Sequence, residues 1–483
     1  MAQKHGVGRM MEATVSISDR LIGAAPVTCG DERADRKSAS FGVSGSSDSW
    51  TPRYVSVSPS SESSATNAWN QNYNTSNPGN QNNNNKTNTN RARACRRTEA
   101  PCCNITPAEL FQAYYDCRTR KRNTHNALAF ERRLERNIID LYHELHAGDY
   151  APGRSLCFIV THPKPREIWA ADFRDRIVHH LLYNRIAADF YRAFSIESCA
   201  CIPGRGTLYA VERLTHHLRS ATQDWIVPRF ALQMDLANFF VSIDKAVLDG
   251  LLARRIHDPY TLYLARLLLH HDPTTNVHVR SSAALMRTIP PHKSLFTAQG
   301  QGRGLPIGNL TSQFFANVYL DPLDQFIKRE LRQRHYVRYV DDLVIVSQGE
   351  QTAGDMLALS RRIATFARET LHAEFHPRKT NLQRADQGVN FVGYVVRPHA
   401  RYLRRRTLAT AHYRLRHLRA EPTTARQSLN SYLGLLRHTT GWRHRQALAK
   451  AARAHGLRVN ASLTKALPPT PAAVSTFSHL VTA

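Results

Sequence analysis

Residues 336–346 read YVRYVDDLVIV and place two adjacent carboxylates, Asp341 and Asp342, between two runs of apolar β-formers. This pattern predicts two strands joined by a two-residue tight turn. The turn would push both carboxylates out of the sheet side by side, where each ionises more readily if a cation lies between them. Such oxygen ligands favour a hard divalent cation, and Mg²⁺ is the usual one near phosphates. An exposed acidic turn has the same spacing, so the hairpin alone does not decide the chemistry.

A second stretch, residues 230–244, reads FALQMDLANFFVSID. Its apolar residues alternate with a period of two, which predicts a strand that ends at Asp235. If this strand lies beside the predicted hairpin, Asp235 joins Asp341 and Asp342 at one edge of a sheet. Three carboxylates on neighbouring strand ends can bind two metals roughly 3.5–4 Å apart.

The order DLANFF, then YVDD, resembles the palm of a reverse transcriptase, and other motifs follow in that family's order over residues 105–457. The resemblance implies an α+β fold of the right-hand polymerase type, with fingers, an antiparallel palm sheet and a helical thumb. It implies an RNA-directed DNA polymerase in which Asp235, Asp341 and Asp342 hold two Mg²⁺ ions. The backbone carbonyl of Leu236 is a further expected ligand, and Val241 departs from the acid that many relatives carry there.

The composition favours a polyanionic partner. The chain has 483 residues with 65 Lys and Arg against 38 Asp and Glu, a formal net charge of +27, which suits RNA or DNA. No apolar run approaches the roughly 18 residues of a membrane span. The eight cysteines form no CxxC pair, so we expect reduced thiols in a cytoplasmic protein without a membrane partner.

Residues 1–103 are predicted to be a low-complexity, disordered segment. From Asn70 the chain reads NQNYNTSNPGNQNNNNKTNTN, and such polar tracts bury too little apolar surface to offset chain entropy. A linker is one interpretation. The other is a translated, adenine-rich template repeat over residues 50–96, because this stretch is similar to the C-terminal end of variable C-type-lectin-fold proteins of diversity-generating retroelements.

The packed part of the chain is predicted to begin near Thr106, where Thr-Pro-Ala-Glu forms a capping box. A second helical pattern ends at Gly148. The predicted boundaries are residues 104–228 for N-terminal helices and fingers, 229–398 for the palm with an inserted fingers segment, 399–462 for a helical thumb, and 463–483 for a tail.

Two basic motifs in the predicted fingers carry candidate nucleic-acid contacts. The resemblance implies that Lys164 and Arg166, in a Pro-restricted turn, grip the incoming triphosphate, although a solvated basic turn has the same composition. Arg176 is either structural or on the template side. The PGRG motif, with Gly204 and Arg205, resembles the template-contacting loop of the family. It lacks a Walker GK[ST], which excludes a nucleotide-hydrolysing loop.

Two further motifs concern the incoming nucleotide. Phe240 lies where the family places a ring against the ribose, which would exclude a 2′-hydroxyl and select dNTPs; otherwise it is an ordinary core residue. Residues 307–313 read IGNLTSQ, with Gly308, Ser312 and Gln313. An isolated SQ pair is simply a polar helix start. In this position the pattern is the form that diversity-generating retroelement enzymes carry, and it implies adenine-selective infidelity.

The remaining candidates follow the YVDD hairpin. Lys379 is expected near the leaving pyrophosphate as a general acid. Residues 388–398 resemble the hairpin that seats the primer end, with Gly393 and Tyr394 as contacts. The basic helical region after residue 401 suits a thumb that follows phosphates.

The function implied is RNA-directed synthesis of adenine-mutagenised cDNA from template-repeat RNA in a diversity-generating retroelement. Its expected partners are template RNA, the cDNA, dNTPs and a small basic accessory variability protein. An intron-type (group II) or defence-associated reverse transcriptase is the alternative within the class. A catalytically silent RNA-binding protein on the same fold is the alternative of another class.

Overall fold

The computed structural model describes residues 67–72, 80–85, 101–119, 124–161, 164–416, 422–454 and 456–467. Residues from Cys102 onward belong to one compact unit, and residues 16–101 belong to another. The other residues of the predicted N-terminal and tail segments lie outside this description.

The second unit contains an antiparallel pair of strands, Asn67–Asn72 and Asn80–Asn85, with Trp69 opposite Asn83. These twelve residues lie in the segment predicted to be low-complexity and disordered, and backbone hydrogen bonds can pair strands whatever their side chains. A two-stranded ribbon is nevertheless marginal by itself. Most of the predicted template repeat lies outside the described residues.

A four-stranded antiparallel sheet forms the middle of the main unit. Its strand order is Tyr336–Tyr339, Asp342–Val346, Phe230–Asp235 and Asn381–Arg384. The two predicted strands of the YVDD hairpin are present, joined by the two residues Val340 and Asp341. The turn lies one residue earlier than the pattern predicts, so Asp342 is the first residue of the second strand. The predicted strand that ends at Asp235 is its direct neighbour, so the sheet itself brings the three carboxylates to one edge.

Two three-stranded sheets flank this centre. In the first, Ser155–Val160 pairs antiparallel with Arg166–Ala170 and parallel with Val277–Val279, so the chain returns to it after the strand that ends at Asp235. We call it the fingers sheet. The second sheet has the order Val389–Phe391, Tyr394–Arg397 and Ala400–Leu403.

Helices surround the sheets. The first begins at Pro107 behind the predicted capping box of Thr106 and Glu109, and a later one ends at Gly148 in a left-handed conformation, as predicted. The α-helices are Pro107–Arg118, His125–Glu131, Leu134–Ala147, Phe173–Ala193, Thr207–Ala221, Phe239–Ser242, Lys245–Ala253, Pro259–His270, Ala283–Met286, Leu295–Gln299, Leu310–Gln325, Ala353–Leu371, Arg405–Arg416, Pro422–Arg437 and Trp442–Arg453.

The two faces of the four-stranded sheet pack into two different cores, because successive side chains point to opposite faces. The side chains on one face belong to the larger core: Leu232, Met234, Tyr336, Leu343 and Ile345. The other adds to the smaller core the residues Ala231, Val337, Val344 and Val346. The larger core contains the N-terminal helices and the helix Leu310–Gln325, and the smaller core contains the last helices of the chain.

The mixture of helices with antiparallel sheets confirms the predicted α+β class. Among the helices that the structure describes, none combines the length and the apolar character needed to cross a bilayer.

Candidate active site

The turn of the YVDD hairpin is strained at one residue. Val340 has a φ of 56°, in the left-handed region that a β-branched side chain rarely adopts. Strain of this kind persists only where the surrounding structure holds it, and it clusters at functional sites. The next residue, Asp341, completes the turn, and Asp342 begins the following strand.

Backbone pairing places the carboxylates together. Asp235 and Asp342 are direct cross-strand partners in the antiparallel ladder, so their side chains leave the same face a few ångströms apart. The Leu236 amide donates to the Asp341 carbonyl at 3.1 Å, which ties the end of the first strand to the turn. The Leu236 side chain is buried, so only its backbone could contribute to this site.

The electrostatics of the three carboxylates show excess negative charge. Burial, followed by repulsion from Asp235 and Asp341, raises the pKa of Asp342 to about 7. Burial and the Asp235 charge also raise the pKa of Asp341. Arg404 and Lys379 lower the pKa of Asp342 by smaller amounts. A cation at this edge would therefore be favoured.

One cation of the chain already contacts the site. The Lys379 ammonium forms an ion pair with the Asp235 carboxylate. The Asp235 backbone is fixed as well, because its carbonyl accepts from the His376 amide at 2.8 Å. The sequence interpretation expected Lys379 near the leaving group, and the structure places it at the same carboxylate cluster.

The fit of a divalent metal can be judged from these donors. Within the described residues, no group of three or more His, Cys, Asp or Glu side chains is arranged around one point as a finished metal site. The donor chemistry nevertheless fits Mg²⁺, because Asp235, Asp341 and Asp342 supply only oxygen ligands and carry uncompensated charge. Asp235 would have to exchange Lys379 for the metal.

The fingers residues lie on the hairpin of the fingers sheet. Arg166 begins the strand Arg166–Ala170, is exposed, and faces the site closely enough to lower the pKa of Asp341. Lys164 is exposed two residues earlier, at the end of the same hairpin. The structure thus brings Arg166 toward the carboxylates, and it gives no contact between them and Lys164.

The IGNLTSQ motif touches the fingers sheet. The Trp169 amide donates to the Ile307 carbonyl at 2.7 Å. Gly308 has a φ of 138°, and a Cβ there would lie 2.3 Å from the Trp169 carbonyl oxygen, so a side chain does not fit. Ser312 is buried with 3% of its surface exposed, and Gln313 is half-buried. The side chain of Ser312 therefore reaches into the protein interior.

Phe240 lies in the short helix Phe239–Ser242, directly after the strand that ends at Asp235. Its ring is partly buried against the larger core and lies 5.4 Å from the ring of Phe239. The Phe240 carbonyl accepts from the Leu305 amide at 2.8 Å. This position shortly after Asp235 in the chain is compatible with both a ribose contact and a core role.

Two arginines predicted to contact the template form hydrogen bonds within the protein. The Arg205 guanidinium donates to the carbonyls of Ser195 and Ser198 at 2.7 and 2.9 Å. The Arg176 guanidinium donates to the Ala171 carbonyl at 2.8 Å. Gly204 has a φ of 75° and open space around it, so a nucleic-acid backbone could approach there.

The predicted primer hairpin has Val392 and Gly393 at its turn, both with positive φ. The Gly393 carbonyl accepts from the Arg404 amide at 2.9 Å. The Tyr394 side chain is buried, and its hydroxyl donates to the Leu435 carbonyl at 3.2 Å. Tyr394 therefore fixes this hairpin to the helix Pro422–Arg437. Arg404 was missed by the sequence interpretation, although it stands at the head of a basic run.

The middle part of the chain matches a known protein family. Residues 162–396 match the family described as reverse transcriptase (RNA-dependent DNA polymerase). The chain contains a reverse transcriptase domain. The match includes the strand Arg166–Ala170, the three carboxylates and Lys379, and it confirms the predicted enzyme class, an RNA-directed DNA polymerase and nucleotidyltransferase.

Comparison with curated proteins finds no match. Among solved structures, telomerase from Candida albicans in complex with the TWJ fragment of telomeric RNA is similar, with 13% identity and a TM-score of 0.37. The alignment covers 62% of this chain and 55% of the telomerase chain, so the chain spans just over half the length of that relative. At that TM-score the likeness carries no argument about function.

Proposed function

We propose that the protein is the reverse transcriptase of a diversity-generating retroelement, which copies template-repeat RNA into adenine-mutagenised cDNA. The observation that carries the polymerase assignment is the direct pairing of Asp235 with Asp342 beside Asp341, inside the residues that match the reverse transcriptase family. Template RNA, the cDNA and dNTPs are the substrates and products of such an enzyme.

The chain's own residues suggest how nucleotidyl transfer would proceed. Asp235, Asp341 and Asp342 would hold two Mg²⁺ ions, which when bound supply activation of the primer 3′-hydroxyl and stabilisation of the leaving oxygen. Arg166, on the facing fingers hairpin, would hold the triphosphate through its planar guanidinium. Lys379, released from Asp235, would donate a proton to the leaving pyrophosphate.

Support for the retroelement subtype comes from the sequence of residues 307–313 and from the Asn-rich stretch after residue 67. Because Ser312 is buried, any effect of this motif on base selection would pass through the half-buried Gln313 or through the position of the helix Leu310–Gln325. A small basic accessory variability protein is part of the same proposal.

A primer-extension assay with an RNA template and dNTPs tests the polymerase proposal. We expect Mg²⁺-dependent cDNA synthesis by the full chain. Absence of synthesis on any primed RNA, with RNA binding retained, would favour the catalytically silent RNA-binding protein instead.

Sequencing of the cDNA tests the subtype. Errors concentrated opposite template adenines would support a diversity-generating retroelement, and faithful copying of adenines would favour an intron-type or defence-associated enzyme. Gln313→Pro is unsuitable because it breaks a helix, so Gln313→Ala is the variant of choice. It is expected to change the adenine error rate more than the overall rate of synthesis.

A further inference from the structure

An arginine lies inside an apolar strand directly behind the catalytic turn. Arg338 occupies the strand Tyr336–Tyr339 and has 1% of its surface exposed. Its neighbours Tyr336 and Val337 are also buried. A charge in this position is costly unless every donor finds a partner.

All five N–H donors of the Arg338 guanidinium are used. Two of them form a bidentate ion pair with Asp324 at 2.7 and 2.6 Å. The others reach the Val340 carbonyl at 2.9 Å, the Ser198 hydroxyl at 2.9 Å and the Asn317 side-chain oxygen at 3.4 Å. Arg338 therefore contacts several elements of the protein at once.

The contact with Val340 bears directly on the active site. Val340 is the strained residue of the turn, and its carbonyl lies immediately before Asp341. A charge-assisted hydrogen bond at this carbonyl holds the peptide orientation that the positive φ requires. The orientation of this peptide sets the direction in which Asp341 leaves the sheet.

The remaining contacts connect the turn to two other elements. Asp324 and Asn317 lie on the helix Leu310–Gln325, which begins at the IGNLTSQ motif. Ser198 lies just before the PGRG loop, and its neighbour Cys199 donates its amide to the Arg338 carbonyl at 2.9 Å. The position of the turn is thus fixed relative to both elements.

We propose that Arg338 is a positioning residue, which holds the Val340 peptide so that Asp341 and Asp342 meet Asp235 in a metal-binding arrangement. The proposal rests on the polymerase function proposed above. It differs from a purely structural role because the planar guanidinium of Arg338, with its several hydrogen bonds, is required for activity in addition to a stable core.

The test separates stability from positioning. In the triple variant Arg338→Met, Asp324→Leu, Tyr336→Phe, apolar residues replace the ion pair and the Tyr336 hydroxyl that donates to Asp324 at 2.6 Å. Replacing a buried ion pair in this way often preserves stability. Arg338→Lys keeps the charge but loses the fork. Arg185→Lys is the matched control, because Arg185 forms a bidentate pair with Glu109 in the N-terminal helices.

The measurements are thermal stability, kcat and KM for dNTP in primer extension, and the Mg²⁺ concentration for half-maximal activity. We expect the triple variant to stay folded, with kcat lowered about 10- to 100-fold, as for a misplaced catalytic group, and a higher Mg²⁺ requirement. Arg338→Lys alone should have a kcat above that of the triple variant but below that of the unmodified protein. Arg185→Lys should lower stability without changing the Mg²⁺ requirement. A folded triple variant with unchanged kcat and Mg²⁺ dependence would overturn the proposal.

Hydrogen exchange of the amides of residues 339–342 provides a readout that does not need activity. Faster exchange in the triple variant than in the Arg185→Lys control is expected. If the unmodified protein makes no cDNA, the polymerase proposal fails, and equal exchange in the two variants would separately refute the positioning role.

Discussion

The two faces of the four-stranded sheet treat buried charge in opposite ways. On the face that packs into the larger core, Arg338 and Asp324 neutralise each other, and every donor of the guanidinium has an acceptor. Burial alone would lower the pKa of Arg338, but the Asp324 carboxylate raises it above the ordinary value. On the opposite face, the Asp235 carboxylate forms an ion pair with Lys379, and within the described part of the chain neither Asp341 nor Asp342 has an ion pair.

This difference separates a completed site from an incomplete one. A satisfied buried pair specifies one arrangement of the chain, and breaking it leaves an uncompensated charge. A cluster of like charges with raised pKa values costs stability and is retained for function. The sheet therefore has the three carboxylates, whose charge favours a cation, on one face and the fully hydrogen-bonded Arg338 on the other.

The largest effect is expected from a substitution among the three carboxylates. Asp341→Asn removes one of the three carboxylates that we propose hold Mg²⁺, and we expect cDNA synthesis to fall by more than about 10³-fold, since the groups at such a site act as a unit. RNA binding, measured by filter retention, should remain within a few-fold of the unmodified protein. Substantial residual synthesis at saturating Mg²⁺ would contradict the assignment of Asp341.

A second test displaces the helix that carries Asp324. Gly308→Ala puts a methyl group 2.3 Å from the Trp169 carbonyl, so we expect a loss of about 3 kcal/mol or more in unfolding free energy. Gly302→Ala is the control, because Gly302 also has a positive φ but nothing within 4 Å of a Cβ. Its cost should be only about 1 kcal/mol. Equal losses in denaturant unfolding would show that contact with Trp169 is unimportant.

The third test removes one of the three neighbouring negative charges. The folded-state pKa of Asp342, about 7, lies above the ordinary value of 3.8, so the folded protein binds more protons and loses stability as pH rises from about 4 to 7. Without divalent metal at pH 8, Asp342→Asn should therefore stabilise the protein by on the order of 1–3 kcal/mol. Mg²⁺ should stabilise the unmodified protein and not the variant.

The control for this test is Asp386→Asn, which removes an exposed carboxylate paired with Arg384. The Arg384 contact lowers the pKa of Asp386, so the substitution should be neutral or slightly destabilising. Thermal unfolding between pH 4 and 8 measures both variants. A destabilised Asp342→Asn protein throughout this range would contradict the repulsion described above.

The smallest effect is expected at Phe240, in the short helix that follows the strand ending at Asp235. Phe240→Val shortens a partly buried ring, and we expect the dNTP preference over rNTPs to fall about tenfold, the usual scale of discrimination by shape. Competitive incorporation from mixed nucleotides measures the preference. An active variant with unchanged preference would assign Phe240 to packing alone.

Local patterns were enough to predict much of this arrangement. The alternation before Asp235 and around the YVDD turn specified strands, and the capping box at Thr106 specified a helix start. The three carboxylates could be grouped because their motifs resemble one family. These features depend on neighbouring residues or on a recognisable order of motifs.

Features that depend on distant pairing could not be predicted in this way. The role of Arg338 could not be predicted from the sequence, because its partner Asp324 lies on a helix and Ser198 lies in a remote loop. An arginine within an otherwise apolar strand is a signal that such a partner exists. The burial of Ser312 and the Asp235–Lys379 ion pair likewise follow from the packing of separate elements.

The fingers sheet has a consequence for the order of folding. The strand Ser155–Val160 pairs with Val277–Val279, and the Ile159 amide bonds to the Ser281 hydroxyl, 122 residues further along the chain. During synthesis the strand Ser155–Val160 keeps one edge unpaired until the ribosome has passed residue 281. Non-local pairing of this kind slows folding and exposes nascent chains to aggregation. We therefore expect that protection of that edge while translation continues favours efficient production of the enzyme.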